Sequence, residues 1–334
     1  MSVFIIAEAG VNHNGKIELA YDLIDKAVEA GADAVKFQTF KTEKIIGKKA
    51  DKAQYQKENT EQTESQFEMV KKLELSYDDF TKLKKYCESK NIMFLSTPDD
   101  IDSLNFLCDL GVNYIKVGST EVTNIDYLKE IAKKQIPIIL STGMSTLGEV
   151  EKALDAIYSE GNRDVTLLHA TTDYPTNYED VNLNAMVTLK NAFKVNIGYS
   201  DHTLGYEAAI AAVTLGAVII EKHFTLDKKM EGPDHKASLN PSELKEFVKS
   251  IRNTEALLGK GIKKPTNREL KIMDQVRRSI VASKELKKGT ILTKDMFEFK
   301  RPGNGIKPEF IDILVGRTLK RDLTEDEPIK WEDI

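Results

Sequence analysis

The stretch Val218-Ile219-Ile220-Glu221-Lys222-His223-Phe224 starts as an apolar strand and ends in charge. Side chains alternate along a strand, so Glu221 and His223 share one face. Seven other short apolar runs follow the same plan: Val3–Ala7, Ala34–Gln38, Met93–Thr97, Tyr114–Ser119, Ile138–Thr142, Val165–Ala170 and Asn196–Ser200. Most are apolar on both faces, as strands of a parallel sheet are when helices cover them. Longer amphipathic segments lie between them, among them Ile17–Ala30, Tyr77–Ser89, Thr146–Glu160 and Leu204–Leu215. Gly31, Gly111, Gly161 and Gly216 stand where such helices should stop. Eight strand–helix units in about 250 residues predict a (β/α)8 TIM barrel, an α/β fold. No G-x-G-x-x-G follows the first run, which argues against a dinucleotide-binding sheet.

A barrel of this kind carries its active site at the C-terminal ends of its strands, so polar residues should collect there. They do. The first run ends in Glu8, the second carries Lys36 and Gln38, and the third closes on Ser96-Thr97-Pro98. Lys116, Ser119 and Glu121 follow on the fourth and Ser141 on the fifth; His169, Thr172 and Tyr174 follow on the sixth and Ser200-Asp201-His202 on the seventh. A lysine or glutamate inside a closed barrel is costly unless paired or bound to a ligand. These groups therefore read either as mutual partners or as a binding site.

The rest of the chain bounds the answer. Hydrophobic residues make up 41% and charged residues 30%, an ordinary globular balance, and the net charge of −5 gives no reason to bind nucleic acid or an anionic membrane. An anionic substrate would need a local cluster of cations. Cys87 and Cys108 lack metal-type spacing and suit a reducing cytoplasm; no membrane span or signal peptide is expected. Phe40 to Leu75 is long for a βα loop and reads as a lid or binding loop, its runs Lys41–Lys44 and Lys48–Lys52 as a solvated face. The barrel is expected over 1–258, a partly helical linker over 259–276, and a small β-rich domain over 277–334. In that domain Ile291 with Asp295-Met296 recurs as Ile329 with Asp333-Ile334, suggesting pseudo-repeated halves.

Lys36 and Lys116 can both point into the barrel mouth, with Ser119, Ser141 and Ser200 around them. Two ammonium groups and several hydroxyls suit a phosphate or carboxylate. An imine-forming lysine is the rival reading for either one. His202 and His223 close neighbouring strands and can meet at one divalent metal with open positions, with Asp201 and Glu221 as supporting partners; the bland alternative is a pair of hydrogen-bonded fixtures. Glu8 and Asp234 remain as candidate acid or base groups.

Eight motifs, in order along the chain, make a resemblance specific: Glu8-Ala9-Gly10-Val11-Asn12-His13-Asn14-Gly15, Val35–Thr39, Ser96–Pro98, Ser141–Met144, Ser200–Thr203, Glu221–Thr225, Gly232–His235 and Lys300–Gly305. Together they resemble the sialic acid (nonulosonate) synthase family, whose small terminal SAF domain is similar to type III antifreeze protein. The resemblance implies condensation of phosphoenolpyruvate with an acylamino-sugar aldehyde, giving a nine-carbon 2-keto sugar acid and phosphate. It implies phosphoenolpyruvate binding by Lys36, Lys116, Ser119, Ser141 and Ser200, and a metal, Mn2+ with Mg2+ or Co2+ as alternatives, on His202 and His223. Glu8, Asp234 and Lys116 would act at the reacting atoms, and Gln38, Glu121, Thr172 and Tyr174 around the sugar. Arg301 would reach the sugar from the partner chain of a domain-swapped homodimer. Thr172, Asp99 and Thr120 depart from the family's usual Asn, Phe and Gly, all near the sugar end, which leaves N-acetylmannosamine and a 2,4-diacetamido-2,4,6-trideoxy sugar both open. An imine-forming aldolase and an ice- or glycan-binding protein are the rival classes.

Overall fold

Each of the eight apolar runs is a strand in the computed structural model, which describes residues 2–52, 56–57, 60 and 64–334. The strands are β1 Phe4–Gly10, β2 Ala34–Thr39, β3 Met93–Pro98 and β4 Ile115–Val117. They continue as β5 Ile138–Ser141, β6 Val165–Ala170, β7 Asn196–Asp201 and β8 Ile219–His223. All ladders are parallel, in the order β3-β2-β1-β8-β7-β6-β5-β4, and the two outer strands of that order, β3 and β4, lie against each other. The sheet thus curls into a barrel. Helices Ile17–Ala30 and Tyr77–Ser89 fall on the expected segments, and Gly31, Gly111, Gly161 and Gly216 all have φ between 80° and 96°, the left-handed stop that glycine takes without a Cβ clash.

Alternation divides the strand side chains into two sets. One set, including Ile5, Val35, Leu140 and Ile220, packs under the helices. The other faces the lumen, where Ile6, Ala34, Leu95, Ile139, Leu168 and Ile219 form a separate buried cluster. Two residues further along the same faces come Glu8, Lys36, Thr97, Ser141 and Glu221. The lumen is therefore an apolar plug topped by a layer of charge and hydroxyls. The long connection after β2 contains the short helices Thr42–Ile45 and Gln66–Lys71. Its lysines are not uniformly a solvated face: Lys44, Lys48 and Lys49 are exposed, but Lys52 is buried, its ammonium 3.2 Å from Glu64. That pairing is what makes its burial tolerable.

Two compact units divide at Gly259 and Lys260. In the second, Ser279–Ala282 (β9) pairs antiparallel with Phe297–Lys300 (β10) over a core that includes Ile280, Leu292, Leu314 and Ile329. The internal repeat is real but one residue out of the register read from sequence. Short 3-10 turns at Lys294–Met296 and Trp331–Asp333 match with Leu292 opposite Ile329, both fully buried, whereas Ile291 is 62% exposed. Burial rather than residue identity marks the equivalent positions. Helix Asn267–Val276 begins on a Thr266–Glu269 capping box, and none of its residues is buried. No helix among the described residues is long and apolar enough to cross a membrane.

The lumen also contains a point without room for any side chain. A Cβ on Gly198 of β7 would stand 2.5 Å from both Leu168 Cδ2 and the Ile219 carbonyl oxygen. Gly198→Ala should lower unfolding free energy by about 1–3 kcal/mol, the usual cost of overpacking a tight core. Urea unfolding reads this directly, and an unchanged midpoint would mean that the plug has slack.

Candidate active site

A cavity of about 440 Å3 opens at the C-terminal ends of the strands. Every candidate phosphoenolpyruvate, sugar, metal and acid–base residue singled out in the sequence lines it except Arg301, which is exposed in the second unit. Parallel register places the charged groups as neighbours. Glu8 lies opposite Lys36 on one side and His223 on the other, and Ser200 lies opposite Glu221.

Four charged side chains form the floor. Lys36 Nζ is 2.8 Å from Glu8 and 3.8 Å from Glu221, and it donates to Thr97 Oγ1 at 3.0 Å. Lys116 Nζ is 3.6 Å from Glu221 and donates to Ser141 Oγ at 2.8 Å. All four are buried. Burial works against the charge of Glu221, yet Lys116 and Lys36 hold its carboxyl down at about 2. Burial dominates at Glu8 and, despite Lys36, lifts it to about 7. One carboxylate is thus a fixed anion, and the other can carry or release a proton near neutral pH. Burial works against the charge of Lys36, but Glu221 and Glu8 hold it above the ordinary lysine range. Burial pulls Lys116 below that range against the support of Glu221. A lowered lysine is also what imine chemistry requires, so the shift alone does not separate the two roles.

Two imidazoles stand at the mouth, ring centroids 5.7 Å apart. His202 donates from Nδ1 to the Thr171 carbonyl at 2.6 Å, which fixes its tautomer and leaves the Nε2 lone pair available. His223 Nδ1 is buried without a hydrogen-bond partner. Burial lowers the pKa of both, so both are neutral donors. This donor set fits a divalent ion. No cluster of three or more His, Cys, Asp or Glu side chains suited to a metal exists among the described residues. The remaining positions would fall to water or substrate. Tyr174 lies over His202 at 4.2 Å between centroids and meets His223 edge-on at 5.8 Å.

Asp201 does not support the histidines, as the sequence suggested. It points to the outer face of β7, 2.8 Å from Lys222 Nζ, and accepts from Thr203 and Tyr199. Period-two alternation is the reason: Asp201 and Lys222 face away from the lumen that holds Ser200 and Glu221. The other three histidines are fixtures. His169 bonds the Val181 carbonyl, His13 Nδ1 accepts from Gly15, and His235 bridges Thr225 and Asn14. That last bridge belongs to a strap. Asn12 donates to the Phe224 carbonyl and Ser238, and Asn14 to the Glu231 carbonyl. These bonds pin the loop carrying Asp234, whose carboxyl burial lifts to about 6. Sequence reasoning missed Glu221 as the shared counter-ion of the lysines, treating it only as a helper of the histidines. It also missed the apolar wall from Phe40, Ile45, Met69, Val70 and Leu73 of the long connection. The pairs Ile45-Ile46 and Met69-Val70 inside a polar loop were the available signal.

Removing one member of a buried ion cluster leaves the others uncompensated. Glu221→Gln places two lysines together without their common anion and should cost roughly 3–5 kcal/mol. Urea unfolding should show this loss, and inorganic phosphate should restore more stability to the variant than to the parent chain. Equal stability with and without Glu221 would remove it from the centre of the floor.

Residues 23–263 match the NeuB family and residues 277–334 match the SAF domain. The chain is 50% identical over 328 residues to the N,N'-diacetyllegionaminic acid synthase of Campylobacter jejuni, covering 98% of each chain. It is 48% identical over 338 residues to the protein of the same description from Legionella pneumophila, covering 100% of this chain and 95% of that one. Among solved structures, the N-acetylneuraminic acid (sialic acid) synthetase of Leptospira borgpetersenii superposes with a TM-score of 0.71 at 36% identity, over 82% of this chain and 90% of that one. With a family match across most of the barrel and full-length relatives near half identity, the chain belongs to the NeuB family and ends in a SAF domain.

Proposed function

We propose that this enzyme condenses phosphoenolpyruvate with an acylamino-sugar aldehyde to give a nonulosonic acid and inorganic phosphate. The observation that carries the reading is the floor of two lysines sharing Glu221 beneath two neutral imidazoles in one barrel mouth. The preferred acceptor is a 2,4-diacetamido-2,4,6-trideoxy sugar rather than N-acetylmannosamine. Relatives near 50% identity carry the diacetyl description, against 36% for the sialic acid synthetase, and the apolar wall of the cavity suits methyl groups.

Lys36 and Lys116 hold the phosphate and carboxylate of phosphoenolpyruvate as point charges, helped by the hydroxyls of Ser119, Ser141 and Ser200. Their shared carboxylate favours the clamp role over an imine. A divalent ion, Mn2+ by preference, is held by His202 and His223 and, when bound, supplies Lewis acidity toward the aldehyde oxygen. Carbon 3 of phosphoenolpyruvate bonds to the aldehyde carbon as the C=O π bond opens onto oxygen, which takes a proton from Asp234, leaving positive character at the phosphate-bearing carbon. Glu8, beside that charge, takes the proton of the water that adds there. The tetrahedral hemiketal phosphate then breaks its C–O bond to phosphate and leaves the 2-keto acid. Asp234 is the second acid–base group, in reach of the aldehyde end. Gln38, Glu121, Thr172 and Tyr174 surround the sugar.

Phosphate release from phosphoenolpyruvate should require the diacetamido sugar, stop after chelation and return with Mn2+. Turnover by fully demetallated protein would end the metal assignment, and pyruvate-dependent trapping by borohydride would replace the clamp with an imine.

Arg301 serves the site of a second copy in this reading. Its exposure, and the half-exposed Leu270, Ile272 and Val276 on a helix with no buried residue, support a paired state. Lys116→Ala and Arg301→Ala, each nearly inactive alone, should recover about one quarter of sites when mixed, because half the dimers are mixed and each gains one intact site. No recovery in proven heterodimers would retire the shared site.

A further inference from the structure

The floor lysines are the only lysine or arginine side chains among the described residues lining the cavity. A phosphate held by them leaves the mouth to the other substrate. Asp99 stands there. It follows β3 on the lumenal face, two residues beyond Thr97, which already bonds Lys36, so it lies one layer nearer the opening. Its backbone is fixed on both sides. The Asp99 N–H donates to the Thr39 carbonyl at 3.1 Å, and the Tyr127 hydroxyl spans the turn, donating to the Pro98 and Asp100 carbonyls at 2.8 and 3.2 Å. Asp100 itself caps the next helix through the Ser103 N–H.

On this fixed backbone the Asp99 carboxyl takes no hydrogen bond and no ion pair among the described residues, although it is half buried and lines the cavity. Burial lifts it to about 7, against the pull of Lys36, so the charged form prevails above neutral pH, where its role as a carboxylate applies. Glu121, the other carboxyl on this side, is occupied by Asn124 at 2.7 Å. A partly dry carboxyl on a fixed backbone, without a donor of its own, is a group ready to accept one from a ligand.

We propose that Asp99 selects the acceptor: its carboxylate accepts a hydrogen bond from an amide N–H or hydroxyl of an uncharged acylamino-sugar and repels a phosphorylated one. Among the described residues the mouth offers such a phosphate no lysine or arginine of this barrel, while Asp99 and Glu121 bring carboxyls to it, so the same residue attracts one class and rejects the other. This rests on the condensation reading above. Three acceptors separate the ideas: the 2,4-diacetamido-trideoxy sugar, N-acetylmannosamine and N-acetylmannosamine 6-phosphate, each with phosphoenolpyruvate.

Asp99→Ala should raise KM for the neutral acceptor roughly ten- to a hundredfold, the usual effect of losing a hydrogen bond to a charged group. KM for phosphoenolpyruvate should stay within about twofold, since the floor is untouched; that constant also reports an intact barrel. Asp99→Asn keeps the size and removes the charge, and should raise kcat/KM for the phosphorylated acceptor relative to the neutral one by about tenfold. Unchanged acceptor KM and unchanged preference in both variants, with the parent chain active, would overturn the Asp99 assignment alone. A parent chain that condenses none of the three acceptors would instead bring down the function reading and this inference with it.

Discussion

Glu221 bridging Lys36 and Lys116 in the lumen is the interaction on which the site depends. Two ammonium groups near the axis of a barrel would repel each other and forfeit hydration. A single carboxylate between them, kept ionised by both, makes the layer tolerable. Ser200 and Ser141 add hydrogen bonds, one to the anion and one to a cation. The arrangement is charge-paired but not fully hydrogen-bonded: Glu8 Oε2 and Glu221 Oε2 are buried without a hydrogen-bond partner, which leaves the layer capacity to rearrange. Folding and binding draw on the same four charges.

The apolar plug beneath makes that layer possible. Ile6, Leu95, Ile139, Leu168 and Ile219 close the lumen, so water cannot reach the ions from below and their mutual attraction stays strong. Gly198 belongs to this logic, because a larger residue there would push apart the strands that carry Ser200 and Glu221. Stability of the plug and geometry of the floor are one constraint seen at two heights.

Much of this was legible in sequence because strands are short and their period is two. Lys36 with Gln38 and Glu221 with His223 announce a polar lumen end on sight, and an apolar run on both faces announces helices outside. What was hidden depends on distances across the barrel. Nothing in the local pattern says that Glu221 serves lysines two and four strands away rather than the histidine beside it. Lys52 looked like one more surface lysine because its partner Glu64 is twelve residues off in an irregular segment. The repeat in the small domain was misregistered by one residue because Ile291 and Leu292 are interchangeable as letters and opposite in burial.

The same alternation explains why charged residues flank the histidines on both sides of the sequence. In Ser200-Asp201-His202 and Glu221-Lys222-His223 the outer letters face the lumen and the middle letter faces the helices. Asp201 and Lys222 meet there, 2.8 Å apart and almost wholly buried, and Lys222 also donates to the Thr203 carbonyl just past His202. This outer pair ties the ends of β7 and β8 together immediately behind the two imidazoles. Breaking this pair would leave a buried ammonium without its carboxylate, and the bonds from Thr203 and Tyr199 hold Asp201 in place for it. The spacing between the rings is therefore constrained from the outer face of the strands, by residues that do not line the cavity.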